Sequence, residues 1–352
     1  MAGLLATYQQ EIRGIYPSGF DNFEWRYTRN GILTRILDMT NSPFSIINED
    51  IRQKALMSEG RALKIPVIKQ KELTIKNQRS CTIGSFENET ALINVDWTTL
   101  VVDISMVKAQ YAKNEITYLQ DLNKKLLMVK QAFIKAIETA IYARLELAKS
   151  TTYNSSLVGT GKKYPLVGDA MQVSIANQEL FFNDLDVILQ EDDFDTDNIY
   201  VLGSTTLRSF VTHWINQGSG NDENLSYQFA GKSFGFSNRI PAGTGNLASG
   251  FTLIDGAMGI ITRNNIDAVM GNKAGDGTTW EIAYLEGFPF PVGVMHKSEC
   301  SDQSELNGTG MEHLKATMVE KWQFSLDFGL VTPYQSDPTR PSPIKKFEFK
   351  AV

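Results

Sequence analysis

Three histidines, two cysteines and one dense acidic run are the side chains of this 352-residue chain best equipped for chemistry. The acidic run, Asp193-Phe-Asp195-Thr-Asp197-Asn198, opens like a calcium loop, in which alternating carboxylates supply oxygen ligands. The pattern then fails. Its sixth position is Asn198 where a tight turn needs Gly, and its twelfth is Ser204 where a bidentate Glu is needed. A solvated loop before a strand is the simpler reading. Gly159-Thr-Gly161-Lys162-Lys163 is no phosphate loop, because Ser156 and Lys163 stand where the first Gly and the hydroxyl belong. Gly243-Thr-Gly245-Asn-Leu-Ala248 fits a loose GxGxxA but reads as a turn, with no strand–turn–helix around it. No GxSxG elbow occurs. Cys81 falls near a polar loop tip and Cys300 in a polar loop, with nothing to fix a histidine beside either. His213 adjoins Trp214 on a predicted helix and is expected packed or solvent-facing. His296 ends a predicted strand, and His313 follows Glu312 without an HExxH frame. The residues thus nominate no catalytic, cofactor or metal site, and the chain reads as a non-enzyme.

Composition narrows the class. Lys plus Arg is 34 against 40 Asp plus Glu, a net charge of −6, with 42% apolar and 21% charged residues. That is the balance of a folded chain. It argues against a protein that grips nucleic acid by charge alone. Two cysteines exclude a disulfide framework and a thiolate zinc cluster, and fit a reducing compartment. The opening Met1-Ala-Gly-Leu-Leu-Ala-Thr-Tyr has no basic n-region, and no run of about 18 apolar residues occurs. The expectation is a cytoplasmic, non-membrane protein.

The elements follow from periodicity. Residues 1–58 read as an N-terminal arm or an irregular layer, with short helices at 31–39 and 49–58. Residues 59–104 read as a long β-hairpin: Ile65 and Val67 on one limb, Ile93, Val95, Trp97 and 100–104 on the other, and a polar tip between. Lys64, Lys69, Lys71, Lys76 and Arg79 crowd its ascending limb. So charged a hairpin belongs outside a core. An isolated two-stranded hairpin is marginal in water, so it should lie on another surface, in this chain or a neighbour's.

The strongest signal is helical. From 106 to 149 there is no Pro or Gly, and Leu122, Leu126, Val129, Phe133, Ile137, Ile141 and Leu145 recur at steps of three and four. Ser105 or Asn114 is the expected cap. Such a helix spans roughly 63 Å, against roughly 50 Å for a compact chain of this length. It therefore bends or breaks, or the molecule is elongated. A second helix is predicted at 176–190, then an α/β block over 193–270 with a strand at 199–202 and a helix at 204–216. Trp322, Phe324, Leu326, Phe328 and Leu330 alternate with small or polar residues, as a strand buried on one face does. Further strands are predicted at 279–285, 292–297 and around Phe347 and Phe349.

This order of elements resembles the major capsid protein of tailed bacteriophages, the Hong Kong phage type of fold shared with encapsulin shells. The segment Asn198-Ile-Tyr-Val-Leu-Gly-Ser-Thr-Thr-Leu-Arg-Ser-Phe210 is similar to that family's strand-then-helix opening of the axial domain, and Ile254-Asp-Gly-Ala-Met-Gly-Ile-Ile261 to its closing strand. The resemblance implies an α+β fold: arm 1–58, extended loop 59–104, peripheral domain 105–192 with the spine helix, axial domain 193–270 and peripheral return strands 271–352. It implies a structural protein that self-assembles through pentamers and hexamers into an icosahedral virion capsid, formed in the host cytoplasm around DNA that it does not read by sequence. It implies a portal, a separate scaffolding protein or none, no cofactor and no membrane. On it the hairpin's Lys64, Lys69, Lys71, Lys76 and Arg79 contact a neighbouring subunit. Some members cross-link subunits through a Lys–Asn bond; no partner Asn or catalytic Glu is identifiable here. The competing expectations are an encapsulin-like compartment, a cytoplasmic enzyme with an unrecognised site, and a tail or adhesion protein.

Overall fold

Tyr118–Ala148, the spine helix, runs 31 residues, about 46 Å at 1.5 Å per residue. The computed structural model describes residues 5, 7–10, 31–58, 62–68, 90–111, 117–218, 228–229, 231–306, 312–333 and 340–351. The helix starts at Thr117. The Thr117 hydroxyl accepts from the Gln120 N–H and the Gln120 side chain accepts from the Thr117 N–H, a capping box that satisfies two otherwise orphaned donors. Leu122, Leu126, Val129, Phe133, Ile137, Ile141 and Leu145 are buried along one side. The expected start near 106, and the caps Ser105 or Asn114, are corrected. Trp97–Val107 is strand β3. Its inward residues Leu100, Val102, Ile104 and Met106 alternate against the core, so a period of two, not 3.6, governs that stretch.

The spine helix covers a five-stranded antiparallel sheet. Its strands are β3, β10 (Gly259–Arg263), β11 (Thr279–Tyr284), β12 (Pro291–Leu306) and β13 (Glu312–Val331), with β13 central. On β13, Trp322, Phe324, Leu326 and Phe328 are buried in the core that also receives the helix stripe. The alternation in the sequence placed this face correctly. The hairpin, however, was drawn too long. Trp97–Ile104 leaves it and pairs with β13 from Gly329 to Trp322. The hairpin proper is β1 (Lys64–Ile68) against β2 (Thr90–Asn94).

A second core lies around a seven-stranded mixed sheet, in the order β4 (Leu166–Val167), β5 (Ala170–Val173), β14 (Ile344–Lys350), β9 (Asn246–Ile254), β6 (Ile199–Ser204), β8 (Lys232–Ser237) and β7 (Gln228–Phe229). β6 and β8 are parallel and joined through helix Leu207–Gly218, the crossover that parallel neighbours require. The unit expected over 193–270 therefore takes in more chain and gives some up. Strand 344–350 enters the middle of this sheet, and helix Phe181–Glu191 packs Phe181, Phe182, Leu185, Ile188 and Leu189 into its core. Gly259–Arg263 goes to the other sheet. The 176–190 helix is corrected to Phe181–Glu191, after a 3-10 turn at Ile175–Asn177. Local periodicity does not say which of two apolar faces a strand or helix will meet.

The first 58 residues are not simply draped over the rest. Helix Ile32–Asn41 inserts Ile32, Leu33, Ile36 and Met39 into the larger core. It also tethers both sheets: Arg35 Nε donates to the Phe234 carbonyl at 3.0 Å, and Thr40 Oγ1 accepts from the Ile260 N–H at 3.0 Å. The chain then passes so close to Gly256 that a Cβ there would stand 2.2 Å from the Phe44 carbonyl oxygen; with φ at +75°, this position requires glycine.

One ion pair is wholly buried. Lys345 Nζ lies 2.5 Å from Asp192 Oδ2, with both side chains at 0% exposure, and the Tyr153 ring 4.5 Å from the ammonium. Asp192 Oδ1 accepts from the Asn154 N–H at 2.7 Å. Burial pushes the Lys345 ammonium below its ordinary value, opposed by Asp192. Removing one partner strands a charge. Asp192→Ala is expected to cost about 3–5 kcal/mol, and Asp192→Ala with Lys345→Met markedly less, read from urea unfolding. In the spine, Ile137→Ala is expected to cost about 2–4 kcal/mol, while Leu147→Ala, at an 81% exposed position, stays within about 0.5 kcal/mol.

Candidate intersubunit surface

Two ribbons leave the body of the chain. The first is the hairpin. Its base is closed by Val95 N–H donating to the Leu63 carbonyl at 3.0 Å. It is anchored by Ile65 and Val95 in a small cluster with Ile47, Ala55, Ile261 and Val331. At the joint between hairpin and sheet, the Arg263 guanidinium lies 4.9 Å over the Trp97 ring and is held by Asp327 at 2.8 Å. Lys64 is exposed at the start of β1. Lys69, Lys71, Lys76 and Arg79 lie outside the described residues, as does Cys81. On the second limb Leu92, the cross-strand partner of Pro66, is exposed.

The second ribbon was not anticipated. β11 pairs with β12 only as far as His296, and β3 with β13 only as far as Val319. Beyond both, residues 300–306 and 312–318 pair only with each other among the described residues. Seven strand residues extend about 24 Å. The sequence holds a signal: Asn307-Gly308-Thr-Gly310 separates two runs free of Gly and Pro, and Gly and Asn favour hairpin connections. The polar composition of these runs is why the sequence alone predicts a polar loop here. Exposed Met318 and Cys300 face each other as cross-strand partners on the ribbon. At its foot Lys297 reaches Asp276 at 3.2 Å. Asp276 is held down to about 2 by the Thr278 N–H, the Thr278 hydroxyl and Lys297.

The root of this ribbon meets the start of the spine helix. Glu320, 4% exposed, accepts from the Tyr118 hydroxyl and pairs with Lys108 at 2.6 Å. Burial, then the Glu320 bond, push the Tyr118 phenol well above its ordinary value. The Glu320 bond raises Lys108. Tyr111 donates to Asp121 at 2.5 Å, and Asp121 pairs with Lys125 at 2.8 Å. Charge here clamps β3, β13 and the helix together.

The free outer edge of β3 adds to this surface. No strand pairs with it among the described residues, and Thr98, Thr99, Val101 and Asp103 are exposed along it. An exposed edge of this length is a template for another chain unless it is covered.

Among the described residues the chemistry-bearing side chains do not converge. His213 is 63% exposed, 3.8 Å from Glu179. Asp192 belongs to the buried pair, and Asp195 accepts from the Asp197 N–H at 3.1 Å in a tight turn. Among the described residues no group of three His, Cys, Asp or Glu side chains stands close enough to hold a metal, and no helix is long and apolar enough to cross a membrane.

No protein-family model and no curated protein matches the chain. Solved structures do show likenesses. A chain of Mycobacterium phage Cain aligns with TM-score 0.47 and 13% identity over 98% of each chain. One of Mycobacterium phage Adephagia gives 0.45 and 12%, again over 98% of each. A chain in the capsid structure of the cyanophage P-SCSP1u gives 0.44 and 12%, over 84% of this chain and 85% of that one.

Proposed function

We propose that this chain is the repeating subunit of an icosahedral shell of the tailed-phage capsid type, assembling with itself through pentamers and hexamers around packed DNA. One observation carries the reading: residues 300–306 and 312–318 form a two-stranded ribbon that overhangs every neighbour in its sheet among the described residues. Two strands alone are marginal in water. A ribbon built into a twenty-residue strand acquires lasting order when a second surface lies against it. The hairpin base and the bare edge of β3 pose the same demand, and repeated heterologous contacts between identical copies meet it.

On this reading the spine helix and the five-stranded sheet make the peripheral domain, and the seven-stranded sheet the axial domain. The basic limb carrying Lys64, Lys69, Lys71, Lys76 and Arg79 reaches a neighbouring copy. The virion capsid is the site of action, assembled in a bacterial cytoplasm, with a portal and a separate scaffolding protein as further partners. DNA is enclosed without sequence recognition, which a net charge of −6 permits. No step of catalysis is assigned. An encapsulin-like compartment would use the same subunit, and its contents, cargo enzyme instead of DNA, separate the two.

Electron microscopy with light scattering is expected to find closed shells, or pentamers and hexamers. Replacing residues 301–317 by Asn-Gly joins the paired residues Cys300 and Met318 through a two-residue turn. It is expected to leave circular dichroism and unfolding unchanged while shells are lost. Normal shells from this variant would overturn the ribbon's role. Lys69→Glu with Lys71→Glu is expected to preserve folding and weaken or abolish shells; particles of unchanged thermal stability would remove the hairpin from the interface.

A further inference from the structure

A second feature of the ribbon root concerns one copy alone and holds whether or not the chain forms a shell. The chain's N-terminal residues are docked there. Leu5 is fully buried, and its N–H donates to Glu281 Oε1 at 2.9 Å. Tyr8 stacks against Tyr118 and Trp322, with ring centroids at 5.9 and 6.1 Å. His296 pairs with that Trp322 across β12 and β13, its ring centroid 4.1 Å from the indole. Among the described residues its Nε2 is buried without a hydrogen-bond partner. Strand alternation puts Glu281, His296, Glu320 and Trp322 on the same inner face of three adjacent strands.

We propose that His296 is a pH-operated latch for the N-terminal segment: neutral, it packs against Trp322, the residue on which Tyr8 rests, and protonated, it releases Leu5 and residues 7–10 from the sheet. The geometry supplies the reason. An imidazolium needs donors satisfied at both nitrogens, and Nε2 has no acceptor while the segment is docked. The charged groups around it divide. Glu320 from β13 and Glu281 from β11 favour the cation, and Lys108 opposes it. Glu320 is already engaged by Lys108 and the Tyr118 hydroxyl, and Glu281 by the Leu5 N–H. Lys297, the next residue, is paired with Asp276 and Glu299.

Desolvation outweighs the carboxylates and sets His296 below the ordinary histidine value of 6.5. The sign follows. With the segment released, water reaches the ring and the ordinary value returns. Docking is therefore fully favoured above pH 6.5 and weakens as pH falls below it, because the released state binds the extra proton. One pH unit lower, the docking equilibrium shifts by up to about tenfold.

Two measurements on the full chain test this. Hydrogen exchange at the imidazole C2 position, followed by mass spectrometry, reports the titration of each histidine separately. His296 is expected to titrate below 6.5, and a midpoint at or above that value would overturn the proposal. Backbone amide exchange of peptides covering residues 5–10, corrected for intrinsic rates, is expected to quicken several-fold between pH 7.5 and 5.5. In His296→Phe, which keeps a ring against Trp322 but cannot titrate, it is expected to be flat. The same acceleration in that variant would sink the latch. Should the variant fail to fold, the C2 titration of the unaltered protein decides alone.

Discussion

The burial of one helix stripe against one strand face sets the arrangement on which the other elements depend. The spine helix has a single apolar side, from Leu122 to Leu145, and β13 has a single apolar face, from Trp322 to Phe328. Each is unstable alone, since a helix in water and an open sheet face both leave apolar area wet. Together they bury it. Because β13 is central, the strands that flank it take their register from it, and β3 is drawn out of the hairpin to complete the sheet.

The second core is joined to the first by chain returning from both ends. Helix Ile32–Asn41 packs in the larger core while hydrogen bonding to a strand of each sheet. Strand 344–350 comes back from the far end of the sequence to sit between β5 and β9. It brings Lys345 with it, and the buried Asp192 fixes where that strand stops sliding. A charge pair in so dry a site adds little net stability, yet it penalises every register in which either partner is left alone. Positional specificity is its physical role here.

At one end of the five-stranded sheet the ribbon, the outer edge of β3 and the exposed Met318 stand together. The clamp of Glu320, Tyr118 and Lys108 ties this end to the start of the spine helix. A load on the ribbon is thereby passed to the core. The docked N-terminal segment sits over the same clamp, so its release would be felt where neighbours are expected.

Periodicity alone determined the spine stripe, the buried face of β13 and the α/β texture near residue 200. These are local properties: a repeat of 3.6 or 2 states which side of an element is apolar. The start of the spine helix was also written locally, in Thr117 and Gln120, but was masked by the unbroken apolar steps that run back to 106. Tertiary structure alone decided the rest. It chose which sheet receives Gly259–Arg263 and which receives strand 344–350, because both are apolar enough for either core and only long-range pairing separates them. It lifted Trp97–Val107 out of the hairpin by offering it the edge of β13. It also brought Lys345 to Asp192 and Tyr8 to Trp322, pairings between residues far apart in the chain that no spacing rule encodes.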